Sequence, residues 1–377
     1  MHSSGFQHRF SRLLVAATMV GLIAILPRTG WAGGRPGAVY VMTNQSSGNS
    51  VKVFHRDAAG MLTFAGSFAT GGDGTGSGAD PLGSQGALTL SENNRLLFAV
   101  NAGSDSLSVF AVSGDQLNLL DTVASGGTMP VSVTVKDDLV YVLNASGAPN
   151  ISGFAFDRWA KRLAPLAGST QNLPGGAGSG PAQVSFSPDG GVLVVTEKNT
   201  NKIDTFVLDD GVAQPGVSFA SNGTTPFGFA FAHDDAIVSD AAGGPMGTSA
   251  VSSYEVEEDG DLQLVTPALG DTQSAACWLV VPVAGRLAYA INAGSGTISS
   301  YTVSAGGSLA LLDATAASTG SGSVPTDAAL TDNSRFLYVR EGGNGTVMGF
   351  RIHSDGSLTF VASAAGVPSG SQGIAAR

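Results

Sequence analysis

The chain has 377 residues, a formal net charge of −11 and a single cysteine, Cys277. An acidic protein is poorly suited to binding nucleic acid or anionic membrane surfaces, so neither is expected as a partner. One cysteine excludes intrachain disulfides and metal sites of the CxxC type. The 53 glycines and the scarcity of helical periodicity favour a protein built from many short strands.

The N-terminus has the features of a secretory signal peptide. Arg9 and Arg12 precede an uncharged, largely apolar run at 13–26, and Gly30 and Ala32 supply small residues for cleavage. A run of this length is short for a membrane span, which needs about 20 residues. We expect a signal peptide at 1–32 with cleavage near Ala32, no membrane span afterwards, and a periplasmic or secreted protein. An uncleaved anchor is the alternative.

The remainder, 33–377, contains seven copies of one pattern: an apolar β-rich run, a polar break, and a second β-rich run. Equivalent positions fall at 40, 98, 141, 194, 238, 289 and 338, a spacing of 43 to 58 residues that is typical of propeller repeats. A strand rich in small residues precedes most pairs, and a further strand follows each pair. The pattern predicts an all-β, seven-bladed β-propeller with four-stranded antiparallel blades.

Two copies of one tetrapeptide predict how the ring closes. Gly-Ser-Gln-Gly at 83–86 opens an inner strand, and the same tetrapeptide at 370–373 opens another with no outer strands after it. The first unit lacks an inner strand of its own. The C-terminal strand is therefore predicted to complete the N-terminal blade, leaving no open edge in the ring.

Several segments resemble the lactonase family of seven-bladed propellers, which includes 6-phosphogluconolactonase and the carboxymuconate cyclases. The resemblance spans roughly 35–377 and rests on 83–90, 97–104, 185–190, 195–201 and 225–231. It implies a lactone-handling enzyme of the exported type. In the family's enzymes a Pro-x-His motif opens inner strands. Here the matching third positions are Ser132, Gln183, Gly228 and Asp327, and none is histidine.

The repeat places two rings of residues at the mouth of the central channel. One ring begins the inner strands and includes Gln183, Trp278 and Asp327. The other ends the second strands and comprises Asn44, Asn101, Asn144, Glu197, Asp240, Asn292 and Glu341, with Lys198 and Arg340 adjacent. We predict Glu197 as a general base and Arg340 as an oxyanion or carboxylate clamp. Substrate contacts are predicted for Gln183, Asn101, Asn144, Asp240, Trp278, Asn292, Asp327 and Glu341.

Each of these residues also has a structural interpretation. The charged residues could form local ion pairs, and Asn commonly ends strands because its side chain bonds turn backbone. Trp278 could stack on a ligand or plug the channel. Two functions stay open: hydrolysis or isomerisation of a lactone, or a non-enzymatic scaffold that binds a protein, glycan or small ligand. We expect a monomer without a cofactor or metal site.

Overall fold

A computed structural model describes residues 1–2 and 35–377 of the chain. Apart from Met1 and His2, the predicted signal peptide lies outside the described residues. Seven antiparallel sheets follow one another along 35–377, and successive inner strands contact each other around a closed ring. The prediction of a seven-bladed propeller with four-stranded blades is confirmed; in two of the sheets the outermost strand is split into two short strands that pair with the same neighbour.

Each blade runs from an inner strand at the axis to an outer strand at the rim. Blade 1 contains β1 (Gly37–Met42), β2 (Ser50–Arg56) and β3 (Leu62–Ala69). Blade 2 contains β4 (Leu88–Leu90), β5 (Leu96–Asn101), β6 (Ser106–Ser113) and β7 (Gln116–Ala124). Blade 3 contains β8 (Thr128–Lys136), β9 (Leu139–Ser146), β10 (Asn150–Asp157), β11 (Arg162–Pro165) and β12 (Gln171–Asn172).

A turn of 3₁₀ helix, Gly176–Gly178, precedes blade 4. Blade 4 contains β13 (Pro181–Phe186), β14 (Val192–Glu197), β15 (Lys202–Asp209), β16 (Val212–Ala213) and β17 (Val217–Ala220). Blade 5 contains β18 (Pro226–Ala232), β19 (Asp235–Asp240), β20 (Ala250–Val256) and β21 (Leu262–Gly270). Blade 6 contains β22 (Ala276–Val280), β23 (Leu287–Asn292), β24 (Thr297–Val303) and β25 (Leu309–Ser318). Blade 7 contains β26 (Pro325–Leu330), β27 (Phe336–Glu341), β28 (Thr346–Ile352) and β29 (Leu358–Ala365), and the last strand is β30 (Ile374–Ala376).

The core consists of the second and third strands, which the apolar runs of the repeat encode. The third strand from the axis in each blade carries one large aromatic ring that is at most 4% exposed: Phe54, Phe110, Phe154, Phe206, Tyr254, Tyr301 and Phe350. Tyrosines on the second strands tie adjacent blades together. The hydroxyls of Tyr141, Tyr289 and Tyr338 donate to the carbonyls of Gly211, Gly356 and Gly60, each in a turn of the next blade. Burying these rings together with satisfied hydroxyls stabilises the contacts between blades.

The C-terminal strand closes the ring, as predicted. In β30, Ile374, Ala375 and Ala376 pair with Val41, Tyr40 and Val39 of β1. The two strands are antiparallel, so β30 becomes the inner strand of blade 1. In the part of the chain that the structure describes, no helix is long and apolar enough to cross a membrane.

Candidate functional site

The ring of residues that ends the second strands lies at the upper face, which is the face at which the inner strands begin. All of its members are at most 2% exposed: Asn44, Asn101, Asn144, Glu197, Asp240, Asn292 and Glu341. Six of these side chains bond neighbouring strands or the links between blades, whereas the carboxyl oxygens of Asp240 have no hydrogen-bond partner among the described residues. For example, Asn101 donates to Ser108 Oγ at 2.8 Å, and Asn292 donates to Ser299 Oγ at 2.9 Å.

Glycines of the links between blades pack against this ring. A Cβ at Gly127 would stand 2.7 Å from the Asn144 side chain, and a Cβ at Gly175 or Gly223 would stand still closer to the side chain of Glu197 or Asp240. Asn144 donates to the Ser125 carbonyl in the link before its blade. The glycine-rich links are therefore fitted to the ring, and the ring holds the links in place.

Glu197, the predicted base, is fully buried at the end of β14. It accepts hydrogen bonds from the Gly175 amide at 3.1 Å and from the Thr200 hydroxyl. Burial raises the pKa of Asp204 on β15, and the neighbouring Glu197 carboxyl raises it further. The two carboxyls form a buried acid pair between β14 and β15.

Arg340, the predicted clamp, is also fully buried and has a different set of partners. Its guanidinium donates to the Ala79 carbonyl at 2.7 Å, to the Thr326 hydroxyl and to the Ser369 carbonyl. Burial lowers the pKa of Arg340 to about 10, and Asp80 and then Asp327 oppose this. Arg340 and Glu197 share no hydrogen-bond partner among the described residues. Glu341 bonds Thr346 and Asn344 within its own blade.

A β-bulge opens each of five inner strands, and it decides which residues face the channel mouth. The pairing with the second strand skips Val131, Ala182, Phe227–Gly228, Cys277 and Thr326–Asp327. A residue shortly before each bulge has a positive φ of 46–59°: Met129, Gly180, Thr225, Ala275 and Val324. A bulge re-aims side chains locally, so the residue that borders the mouth in blade 6 is the half-buried Cys277, next to Trp278.

The predicted inner-ring residues make contacts around the axis. Gln183 forms two hydrogen bonds with Phe229 of the next blade, to its carbonyl at 3.0 Å and from its amide at 2.8 Å. Trp278 is 1% exposed, packs against Phe227 with ring centroids 5.1 Å apart, and donates its indole N–H to the Ser84 carbonyl. Asp327 lines the channel.

The segment 79–86 fills the upper mouth of the channel; we call it the plug. The Ser84 hydroxyl donates to the Val131 carbonyl at 2.8 Å, and the Gln85 amide donates to the Ala182 carbonyl at 3.1 Å. The Gln85 side chain crosses the axis and bonds both the carbonyl and the amide of Leu279 in blade 6, at 2.8 and 3.0 Å. Its Oε1 occupies the space that a side chain at Gly228 would need.

Three chemically active side chains remain partly exposed here: Asp80 of the plug itself, and Lys198 and Cys277 beside the plug. The Asp80 carboxylate accepts from the Gly83 amide at 3.0 Å, and the Lys198 ammonium donates to the Gly83 carbonyl. Both charged groups lie within 4 Å of the point where a Cβ of Gly83 would stand. Burial raises the pKa of Asp80 and lowers that of Lys198, and each group partly offsets the shift of the other.

The lower end of the channel is open. A cavity of about 530 Å³ lies where the inner strands of blades 3 to 6 end, and its walls include Glu92, Lys136, Ser185, Ser187, Phe231 and His233. A second space of about 290 Å³ continues toward the plug and reaches Gln85 and Asp327. Thr134 and Ser185 line both spaces, so the channel is entered from below and blocked above.

Neither the plug nor His233 was predicted as part of a site. The Gly-Ser-Gln-Gly at 83–86 predicted only an inner strand, although the plug includes the same four residues. His233 follows the end of an inner strand, a position that the family's Pro-x-His motif does not address. Among the described residues, no group of three or more His, Cys, Asp or Glu side chains is placed to hold a metal ion.

Buried carboxyls at this face predict that the folded protein loses stability as pH rises. Burial raises the pKa of Asp240 and that of Asp327 to about 7. Both carboxyls keep their protons in the folded chain at a pH where the unfolded chain has released them. The contribution of these two carboxyls to stability is therefore greatest below about pH 4 and levels off above about pH 7. Between these values each carboxyl lowers the free energy of unfolding by a few kcal/mol.

Melting temperatures of the wild type and Asp240→Asn, measured from pH 5 to pH 8, test this expectation. The variant should gain on the wild type as pH rises, because the amide carries no charge to bury. The exposed Asp259→Asn is the control and should follow the wild type throughout. A constant difference between Asp240→Asn and the wild type over this range would contradict the expectation.

The model of the lactonase family of seven-bladed β-propellers matches residues 35–175 and 242–372. No curated protein matches the sequence. Similar solved structures include a putative 6-phosphogluconolactonase from Bacteroides fragilis, with a TM-score of 0.67 and 19% identity over 93% of this chain and 99% of that one. The Pseudomonas aeruginosa periplasmic gluconolactonase has a TM-score of 0.63 and 17% identity over 89% and 98%.

A functionally unknown protein from Desulfotomaculum acetoxidans is also similar, with a TM-score of 0.70 and 17% identity over 90% of this chain and 98% of that one. At these identities the structures show a common fold, while the family model covers most of the chain. The protein belongs to the lactonase family of seven-bladed β-propellers.

Proposed function

We propose that the protein is an exported lactone hydrolase whose reaction takes place at the upper mouth, between Asp80 and Lys198. The observation that carries the proposal is the pair itself: a carboxylate and an ammonium group, both partly exposed, reach the same point beside Gly83. Ester hydrolysis needs a base for water and a positive group for the developing oxyanion, and these two side chains supply them.

In the proposed reaction, Lys198 donates a hydrogen bond to the carbonyl oxygen of the lactone. Asp80 accepts a proton from a water molecule as the water oxygen attacks the carbonyl carbon. The tetrahedral intermediate collapses by breaking the bond between that carbon and the ring oxygen. The proton held by Asp80 passes to the departing alkoxide, so that one lactone and one water give one hydroxy acid.

The shifted pKa values suit these roles. Burial raises the pKa of Asp80, which makes its carboxylate a better proton acceptor than an ordinary aspartate. Burial lowers the pKa of Lys198, which makes its ammonium a better donor to an oxyanion. Activity should rise with pH as Asp80 ionises and fall as Lys198 loses its proton. Because the two pKa values are shifted toward each other, the pH range of activity should be narrower than for an ordinary aspartate and lysine.

The mouth favours a lactone without a phosphate group. Arg340 already donates to the carbonyls of Ala79 and Ser369 and to Thr326, so it is not free to bind a phosphate. Lys198 is then the cation left for the substrate at this point of the mouth. Export would also separate the enzyme from phosphorylated sugars of the cytoplasm, which is the second reason for this substrate class.

The test is proton release by the purified propeller on a panel of sugar, muconate-type and acyl lactones. Asp80→Asn and Lys198→Met should each lower kcat about 100-fold, the usual scale for removing a base or an oxyanion donor. The surface variants Glu258→Gln and Lys161→Met are matched controls and should keep full activity. Glu197→Gln and Arg340→Ala test the assignment predicted from the sequence.

The possible outcomes are distinct. Turnover that survives in Asp80→Asn and Lys198→Met but disappears in a folded Glu197→Gln would overturn this assignment in favour of Glu197. Absence of turnover on every lactone would overturn the enzymatic proposal. One observation favours the second candidate, a binding scaffold: the plug fills the channel at the mouth, where the sequence repeat predicts the site.

A further inference from the structure

We propose that the open lower end of the channel is a second binding site, which takes a small neutral polyhydroxylated ligand such as a monosaccharide. The site is separate from the upper mouth, because Gln85 and the rest of the plug lie between them. Its volume of about 530 Å³ falls within the range of small-molecule pockets. The proposal therefore does not depend on lactone hydrolysis.

The charges on the wall are matched. Lys136 Nζ lies 3.1 Å from Glu92 Oε1 and 2.7 Å from the Pro188 carbonyl, which holds the ammonium group at the rim. An ammonium fixed beside a carboxylate offers hydrogen-bond donors and acceptors side by side. Adjacent hydroxyls on a sugar ring can bond both, whereas an anion would be repelled by Glu92.

The polar groups of the wall alternate with apolar ones. The Ser185 hydroxyl donates to the Phe186 carbonyl at 3.3 Å and keeps its lone pairs for a ligand. In the described hydrogen bonds the ring nitrogens of His233 have no partner, and the ring borders Gly285 on the same wall. The half-buried ring of Phe231, steadied by Phe229 at 5.9 Å, offers an apolar face to the C–H groups of a sugar.

The experiment is an amide NMR titration of the ¹⁵N-labelled propeller with D-glucose, sodium D-gluconate and cyclohexanol. Glucose should shift the amides of 134–136, 185–187 and 231–233 with a Kd in the millimolar range, about −4 kcal/mol. Lys136→Met should weaken glucose binding about tenfold, or about 1.4 kcal/mol. Phe231→Leu, which keeps an apolar side chain but removes the ring, should weaken it as well. Lys161→Met, on an exposed turn, is the matched control and should bind like the wild type.

Three results would overturn the proposal. Tighter binding of gluconate than of glucose would identify an anion site, and equal binding of cyclohexanol would identify a merely apolar cavity. No shift with glucose at about 0.1 M would exclude a site of useful affinity. Lactone turnover should be unchanged in Lys136→Met and Phe231→Leu, so this test and that of the upper mouth fail independently.

Discussion

Deletion of residues 370–377 should destabilise the protein more than any single substitution at the mouth or the plug, and should leave it prone to association. The deletion removes β30 and exposes the backbone of β1 along its inner edge. It also removes the buried Gln372, whose side chain bonds the Ser84 carbonyl of the plug at 2.9 Å. Lost burial of Ile374 and several lost hydrogen bonds together cost about 5 kcal/mol.

Calorimetry and size-exclusion chromatography would measure this effect. For a chain of this size a loss of about 5 kcal/mol should lower the melting temperature by about 5–10 °C. The open edge of β1 is a template for another strand, so dimers or aggregates are expected as well. Arg377→Ala is the control, since it removes the bond from Arg377 to the Tyr40 hydroxyl but keeps β30. A truncated protein that stays monomeric with an unchanged melting temperature would contradict closure by β30.

A second large loss of stability is expected for Gln85→Ala. This change leaves the amide and carbonyl of Leu279 without partners in a buried position and opens a hole above Gly228. A buried polar group without a partner costs about 1–3 kcal/mol, so a total of about 3 kcal/mol is expected. Gln85→Glu should be similarly harmful, because a carboxylate cannot donate to the Leu279 carbonyl.

Chemical denaturation would give the stability loss, and hydrogen exchange would locate it. The Leu279 amide should exchange much faster in Gln85→Ala than in the wild type, while amides on the outer strands should not change. The control is Gln263→Ala, whose side chain lies exposed on blade 5 and bonds Glu257. If Gln85→Ala unfolds at the same denaturant concentration as the wild type, the plug does not stabilise the ring.

The sequence was sufficient for the architecture because each blade repeats the same local requirements. The buried aromatic of the third strand, from Phe54 to Phe350, recurs at a nearly fixed distance from the second-strand run. Strand pairing within a blade is local in sequence, so the repeat alone identifies it. Closure could be predicted for a related reason: the second Gly-Ser-Gln-Gly had no outer strands of its own.

The candidate site could be predicted only in outline. Counting along the strands placed Trp278 and Asp327 in one ring, but a bulge at the start of β22 leaves Cys277 beside the mouth. Bulges depend on positive φ at residues such as Ala275 and Val324, which the residue type does not signal. The hydrogen-bond partners of the carboxylate or amide that ends each second strand also depend on the link between blades that crosses it. At Glu197, for example, the partner is the Gly175 amide of such a link.

The plug lay beyond sequence reasoning because its contacts are among the least local in the molecule. Gln85 meets Phe229 and Leu279, which are 144 and 194 residues away. No pattern near residue 85 indicates that a glutamine will take the place of a side chain at Gly228. Lys198, the partner of Asp80 in the proposed reaction, also lies in the segment that the family model leaves unmatched. An activity specific to this chain would be expected to depend on Lys198.

One guanidinium joins the two ends of the propeller. Arg56 donates to the carbonyl of Arg35 at 2.8 Å and to that of Arg377 at 2.9 Å, so the first and last described residues of the ring are neighbours. A short glycine linker could connect these positions, and new termini could be opened in an exposed turn such as that at Asp259. Such a circular permutant would keep all seven sheets and would convert the closing strand pair into an ordinary covalent hairpin.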